Sequence, residues 1–240
     1  MRLGIKLVVG SSLLLGVLQG ALAFAASPAQ RDLKDVLQQL DQASANFRST
    51  SANFEFDTIE TDPVYDKEVQ TGAVYYERNG KAFQMGVHIV DDYGKPSPKV
   101  YTYGNGTFKL FEPAIDQVTT YTKANKFESY VMLGFGASGT DLQAKWDIKY
   151  LGSETVMDGK TSIKTDKLEM VAKDPDVRKN LPKVTIWVDP ERAVSLKQLL
   201  NFSDSITRVS IYSNIKVNRG PIPSDAFSFS TDKKTQFRNQ

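Results

Sequence analysis

The chain has 240 residues, no cysteine, and 30 basic against 28 acidic side chains, a formal net charge of +2. This excludes disulfides, thiolate chemistry and a lipid carried on an N-terminal cysteine, and it offers no electrostatic basis for gripping nucleic acid or an anionic membrane. With 40% apolar residues there is material for a sizeable core, and one β-rich domain of about 200–250 residues is ordinary.

The N-terminus reads as a targeting segment. Arg2 and Lys6 precede an apolar run from Leu7 to Phe24 that closes on Ala23-Phe24-Ala25, the small-x-small pattern of signal peptidase. Residues 1–25 are expected to be removed, leaving a soluble exported chain that begins near Ala26. A membrane anchor is the other reading, but the run is short for a span. Losing Arg2 and Lys6 leaves 28 basic residues against 28 acidic ones, so recognition is expected to be apolar or locally polar.

Arg31 to Arg48 is the clearest helix, with Leu33, Val36, Leu37, Leu40, Ala43 and Phe47 at three- and four-residue steps. The period then switches to two at Ala52, Phe54, Phe56 and Thr58, a first strand that Asp62-Pro63 breaks. Gly72 to Arg78 runs into the Asn79-Gly80 turn and returns through Phe83, Met85, Val87 and Ile89. A polar loop holding Asp91, Asp92, Gly94, Pro96 and Pro98 is expected next. A second hairpin follows, from Val100 to Phe111 around Asn105-Gly106, and Gln117 to Tyr121 is one more strand.

Lys126 to Trp146 interrupts the strand pattern. Phe127, Tyr130, Val131, Leu133, Phe135 and Leu142 are too apolar for a surface loop, while Gly134, Gly136 and Gly139 are too permissive for one rigid helix. Two short helical pieces hinged on the glycines are expected, the second capped by Ser138, Thr140 or Asp141. Such an insert fits a lid over a greasy cavity, and equally a helix that simply covers a core.

Beyond it, Trp146, Ile148 and Tyr150 alternate with polar residues, Asp158-Gly159 turns the chain, and a long strand ends through Leu168, Met170 and Ala172. Asp174 to Pro182 reads as a charged loop. Val184 to Val188 and Val194 to Phe202 are strands, and Val209, Ile211, Ile215 and Val217 share one face of another, with Arg208 and Tyr212 on the opposite face. Ile222-Pro223 and Phe227 to Phe229 are expected as a final edge element, and Thr231 to Gln240 as a frayed tail. About ten antiparallel strands against two helical segments cannot be covered as a flat sheet, so a strongly curved sheet with helices on its concave side is the economical fold.

The motifs that carry chemistry are weak. Gly134 to Gly139 spells G-x-G-x-x-G without the strand, helix and parallel unit that a dinucleotide needs. His88 is the only histidine, on the face opposite Phe83, Met85 and Val87, with no nucleophile elbow and no second ligand at metal spacing, so it is read as a solvent-side residue. Asp91-Asp92 and Asp174-x-Asp176 do not continue as a calcium loop. Arg78, at the end of an apolar strand before the turn, is either a surface arginine or one that reaches carbonyls of an overlying helix end. No cofactor, metal or catalytic residue is assigned.

Several short motifs in order carry a resemblance: the exported N-terminus, the helix ending in Phe47, Gly72-x-Val74-Tyr75-Tyr76-x-Arg78, and Tyr103-Gly104-Asn105-Gly106-x-Phe108-x-Leu110-Phe111-x-Pro113 followed by Gln117. Leu133-Gly134-Phe135-Gly136, Ile186-Trp187-Val188-Asp189 and Ile222-Pro223-x-x-x-Phe227-x-Phe229 continue it. Together they resemble the periplasmic lipoprotein carriers, the LolA-like family, over nearly the whole chain after the leader. The resemblance implies a half-barrel of antiparallel strands, incomplete and lidded by helices, in a single domain over 26–240. Its apolar interior would take the acyl chains of lipoproteins from an inner-membrane ABC exporter to an outer-membrane acceptor, as a monomer and without catalysis. It makes Arg78 the latch of the lid and Gly134, Gly136 and Gly139 its hinge. The lid and cavity lining would be Phe127, Tyr130, Val131, Leu133, Phe135 and Leu142 with Phe54, Phe56, Val74, Tyr76, Phe83, Met85, Phe108, Leu110, Trp146 and Ile148. A carrier of another lipid with the same architecture is the alternative, and a hydrolase using His88 the third reading. The sequence departs from the family pattern at Asn79-Gly80, where proline commonly follows the arginine.

Overall fold

The structure, a computed structural model, describes residues 31–80, 82–122 and 133–240. The leader at 1–25 and the lid residues Phe127, Tyr130 and Val131 lie outside the described residues.

The first helix, α1 (Leu33–Asn46), begins two residues inside the predicted span because Asp32 caps it, its carboxylate accepting from the Asp35 amide while Asp35 returns the bond. Its Val36, Leu37 and Leu40 face inward. Ahead of the cap, Arg31 pairs at 2.8 Å with the buried Asp166, fastening the helix start to the sheet.

The strands are β1 (Ser49–Glu60), β2 (Asp66–Asn79), β3 (Ala82–Asp92), β4 (Lys95–Gly104), β5 (Thr107–Glu112), β6 (Gln117–Tyr121), β7 (Trp146–Asp158), β8 (Thr161–Ala172), β9 (Lys183–Asp189), β10 (Val194–Asn201), β11 (Ile206–Val217) and β12 (Gln236–Asn239). They form one open sheet in the order β12-β6-β5-β4-β3-β2-β1-β11-β10-β9-β8-β7. Neighbouring pairs are antiparallel except β12 and β6, which run parallel. Among the described residues two further α-helices are short, α2 (Gly139–Lys145) and α3 (Pro175–Asn180), and Pro113–Ile115 makes one 3-10 turn.

Phe108 of β5 and Leu200 of β10 line one cavity although six strand spacings separate them. A flat sheet would hold them about 29 Å apart at about 4.8 Å per strand. The sheet therefore curls, and its concave face holds two packed regions. One lies under α1 and α2 and gathers Leu40, Trp146, Leu168, Met170 and Ile186. The other, over β1–β4 and β10–β11, gathers Phe47, Phe54, Val74, Tyr76, Phe135 and Tyr212.

Four expectations change. The polar loop after β3 is only the turn at Tyr93-Gly94, and Pro96 and Pro98 sit within β4. They are tolerated because β5 does not pair with β4 before Val100, so the missing N–H groups cost no ladder bond on that side. Asp174 to Pro182 holds the helix α3, with Asp174 accepting from the Asp176 and Val177 amides and Pro175 at the first helical position.

In β11 the inward face changes parity. Asn214 has φ of 54° and the pairing with β1 slips there, so Arg208, Ser210 and Tyr212 face the concave side before the bulge and Ile215 after it. Ile211 is turned outward and exposed. Finally, Ile222 to Phe229 forms no strand, and the tail is ordered instead: β12 adds to β6, with Thr235 Oγ1 bonded to Asp116 at 2.8 Å. The segment before it crosses the outer face. Ala226 is fully buried over Gly86, where any side chain would collide with the Ala226 carbonyl.

Candidate functional site: an apolar cavity and its cover

On the concave face, with Leu133 of the segment 133–138 at its edge, lies a partly open cavity of about 240 Å³. Val74 and Tyr76 of β2, Met85, Val87 and Ile89 of β3, Tyr101 of β4 and Phe108 of β5 form one wall. Phe56, Leu200, Phe202 and Tyr212 form the facing wall, Leu133 closes one end, and Gln70, Gln198, Arg208 and Ser210 supply its polar groups.

Six of the residues expected to line a cavity do so: Phe56, Val74, Tyr76, Met85, Phe108 and Leu133. Leu142, Trp146 and Ile148 instead belong to the packed region under α1, which fills that half of the concave face. Phe54 is buried beside the cavity with its ring stacked on Phe56 at 4.0 Å, and Phe83 stacks on Tyr103 at 5.0 Å. Leu110 is half-buried on β5, paired with Tyr101. Val87, Ile89, Tyr101, Leu200, Phe202, Arg208 and Tyr212 were not singled out by the sequence. Period two along β3 points to Val87 and Ile89, but the bulge in β11 hid Arg208 and Tyr212.

The cover is fastened at its base. Phe135 is 1% exposed, stacked on Tyr76 at 4.3 Å and edge-on to Tyr212 at 4.9 Å. It bridges to Val194 at the start of β10. Five hydrogen bonds hold the backbone of 133–136: Gln198 Nε2 to the Leu133 carbonyl at 2.5 Å, the Ser195 amide to Gly134 O at 2.6 Å, the Gly136 amide to Ala193 O at 2.7 Å, and two onto Gly136 O. Those two come from Ser44 Oγ of α1 at 2.7 Å and from Arg78 Nη2 at 2.6 Å.

Arg78 thus reaches the cover and the end of α1 together. Its Nη1 also donates to Ser44 O at 3.2 Å and Ser44 Oγ at 3.3 Å, and the guanidinium lies 5.5 Å from the Phe47 ring centre. Burial, more than the repulsion of Arg48, lowers its pKa, against the attraction of Asp141. An arginine stays charged under these conditions.

Of the three glycines, Gly136 adopts φ of 72° with the Phe47 ring against its Cα, a conformation and a spacing that a side chain would spoil. Gly134 is also left-handed, at φ of 84°. Gly139 is the first residue of α2, close against the Leu37 backbone. Ser138 is the cap, its Oγ accepting from the Asp141 amide at 3.0 Å, and Asp41 of α1 holds the Thr140 amide at 2.9 Å.

The far end of the cavity is polar. Gln70 Nε2 bridges Glu68 Oε1 at 2.8 Å and Asp92 Oδ2 at 3.3 Å, and Lys99 reaches Asp92 Oδ2 at 3.4 Å. Burial, then the nearby Asp92, raises the Glu68 pKa. A carboxyl whose pKa is raised on folding binds more protons in the native state, so its contribution to stability falls as pH rises from the ordinary glutamate value through the raised one. Glu68→Gln is therefore expected to raise the melting temperature at pH 7 and to lose that advantage below about pH 4. Water screens a group this open, so the gain is below about 1 kcal/mol. Thermal melts of both proteins at the two pH values check it, and a loss at pH 7 would count against this reading.

His88 faces away from the cavity. Its Nε2 sits 3.1 Å from the Ala226 carbonyl and its ring is edge-on to Tyr75, so it is covered by the C-terminal segment rather than open to solvent. It cannot serve a reaction inside the cavity. Among the described residues no cluster of three His, Cys, Asp or Glu could hold a metal ion, and no helix is long and apolar enough to cross a membrane.

No family model matches the sequence, and no curated protein matches it. Solved structures are similar in fold. MucB matches with a TM-score of 0.51 at 12% identity, over 88% of this chain and 67% of that one. An uncharacterized conserved protein from Thermus thermophilus matches at 0.53 and 8% identity, over 88% of this chain and 100% of the other. The LolA superfamily protein NE2245 from Nitrosomonas europaea is also among the similar structures, at 0.40 and 16% identity, over 83% of this chain and 98% of its own. At these identities the likeness is one of fold.

Proposed function

We propose that this chain, over 26–240, is a non-enzymatic periplasmic carrier that shelters the acyl chains of lipoproteins between the inner and outer membranes, taking them from an ABC exporter and yielding them to an acceptor. The observation that carries the reading is the largely apolar cavity on the concave face, bordered by Leu133 of a segment that Arg78 and Ser44 tie to α1. Each methylene withdrawn from water contributes about 0.8 kcal/mol, so even a short length of chain held there outweighs surface adhesion.

At about 240 Å³ the cavity is larger than the roughly 150 Å³ that accommodates a benzene, yet too small for several long chains. Loading a lipoprotein therefore requires the cover to lift, which assigns Arg78 as a latch. The same volume favours a second reading, a carrier of a smaller, single-chain lipid that fits without full opening.

Native mass spectrometry of protein purified from an envelope fraction, with extraction and identification of bound lipid, tests both. Acylated proteins are expected to co-purify and to be released from spheroplasts when the pure protein is added. If free lipids alone are recovered and release is unaffected, the second reading replaces the first; if nothing apolar is ever bound, both fail.

A further inference from the structure

The cavity has an unused cation at its polar end. Arg208 of β11 is half-buried, its guanidinium carbon 5.7 Å from the Phe56 ring centre and 5.6 Å from that of Phe202. Its Nε donates to Thr58 Oγ1 at 3.0 Å. Among the described residues it makes no ion pair, and its two terminal nitrogens donate to nothing. Two aromatic faces and one hydroxyl thus fix the plane of the fork while leaving free the two N–H groups that bind an oxyanion bidentately.

We infer that the cavity binds a single-chain amphiphile with an anionic head, its carboxylate or phosphate on Arg208 and its chain running along the concave face towards Tyr76 and Met85. This rests on the reading of the cavity as a lipid site. The lining along β2 from Gln70 to Tyr76 covers six residue steps, about 20 Å at about 3.3 Å each, which is the reach of one long alkyl chain. The volume holds only part of one such chain, so no second chain enters with it.

The charges that face this end are Arg208, Lys99, Glu68 and Asp92. Asp92 is engaged by Lys99 and by the Gln70 amide. Glu68 shares that amide and is attracted by both Lys99 and Arg208, so it is the group an incoming anion competes with at this end. Arg208 is the member of the set that lines the cavity and, among the described residues, makes no ion pair there; its charge acts on Glu68 and on the Tyr101 and Tyr212 hydroxyls. An uncharged lipid would leave the two free N–H groups of the fork to water alone.

The test is a head-group series at constant chain length. Dodecanoate, dodecyl phosphate, dodecanol and dodecylammonium are titrated below their aggregation limits by calorimetry and by displacement of a neutral solvatochromic dye. Both anions are expected to bind about tenfold or more tightly than the alcohol, the gain of a charge-assisted pair. Inorganic phosphate alone is expected not to displace them. Arg208→Gln should lower anion affinity far more than alcohol affinity, and Arg208→Lys should keep part of the preference. The ranking in the unaltered protein decides the matter without any variant. Equal binding of anion and alcohol, tighter binding of the ammonium, displacement by phosphate alone, or an Arg208→Gln protein that keeps the preference would each overturn the inference while leaving the lipid site standing. Failure of all four amphiphiles to bind would remove the lipid site itself.

Discussion

Phe135→Ala is expected to cost about 3–5 kcal/mol of folding stability, the range for deleting a fully buried phenyl ring. The ring sits between Tyr76 and Tyr212 in stacked and edge-on contact, and aromatic pairs add to burial alone. The backbone of 133–136 keeps its hydrogen bonds to Ser44, Arg78, Gln198 and β10, so the segment stays in place around a void. Because Tyr76 and Tyr212 also line the cavity, that void enlarges it. The variant should therefore be less stable in urea yet bind a neutral apolar dye at least as tightly as the parent. Weaker dye binding by the folded variant would mean that Phe135 is a wall of the ligand site and not its stopper. A stability loss under about 1 kcal/mol would mean that the ring does not anchor the cover.

Much of this arrangement was legible because it depends on local rules. Asn79-Gly80 and Asn105-Gly106 fix two hairpins, since such turns demand left-handed backbone, and Gly80, Asn105 and Gly106 adopt it. The stripe from Leu33 to Leu40 fixes α1. The misreadings arise where one residue's meaning depends on a distant partner. Pro96 and Pro98 look like loop residues until β5 is seen to stop short of them. Val209 and Ile211 look like the inward face of β11, and only the pairing with β1 reveals the bulge at Asn214 that turns Arg208 and Tyr212 inward. The four residues Gln236–Asn239 carry no apolar alternation, and they are a strand because β6 offers a free edge.

The cover was legible as composition and not as geometry. Three glycines in six residues suggest freedom of movement, whereas the structure uses all three to press the chain against neighbours: Gly134 on Ser195, Gly136 on Phe47 and Gly139 on Leu37. The seat of residues 133–136 on β10 joins segments far apart in the chain, Gln198 with Leu133 and Ser195 with Gly134, and no local pattern encodes it.

Arg78→Leu is expected to fold, to bind long-chain ligand faster, and to deliver it poorly. The variant folds because both carbonyls that lose the guanidinium retain a donor: Gly136 O keeps Ser44 Oγ, and Ser44 O keeps the Phe47 amide at 3.1 Å. The leucine can also cover the Phe47 ring that the guanidinium now overlies. What is lost is the charged donor that joins α1, β2 and the cover at one point, worth roughly 1.5–3 kcal/mol. That much bias shifts an open-closed equilibrium by about tenfold or more. Entry of a fluorescent long-chain lipid should accelerate by about that factor, because the closed cover is less populated. Release to acceptor vesicles should slow, since reclosure no longer helps expel the chain. Arg78→Lys should fall between the two, as an ammonium cannot hold Ser44 and Gly136 in one plane. Stopped-flow entry, vesicle transfer and thermal melts on all three proteins separate a latch from a structural tie. Entry and transfer rates unchanged in a well-folded Arg78→Leu protein would take Arg78 out of the mechanism, leaving the Ser44 bond, the β10 contacts and the packing of Phe135 to hold residues 133–136.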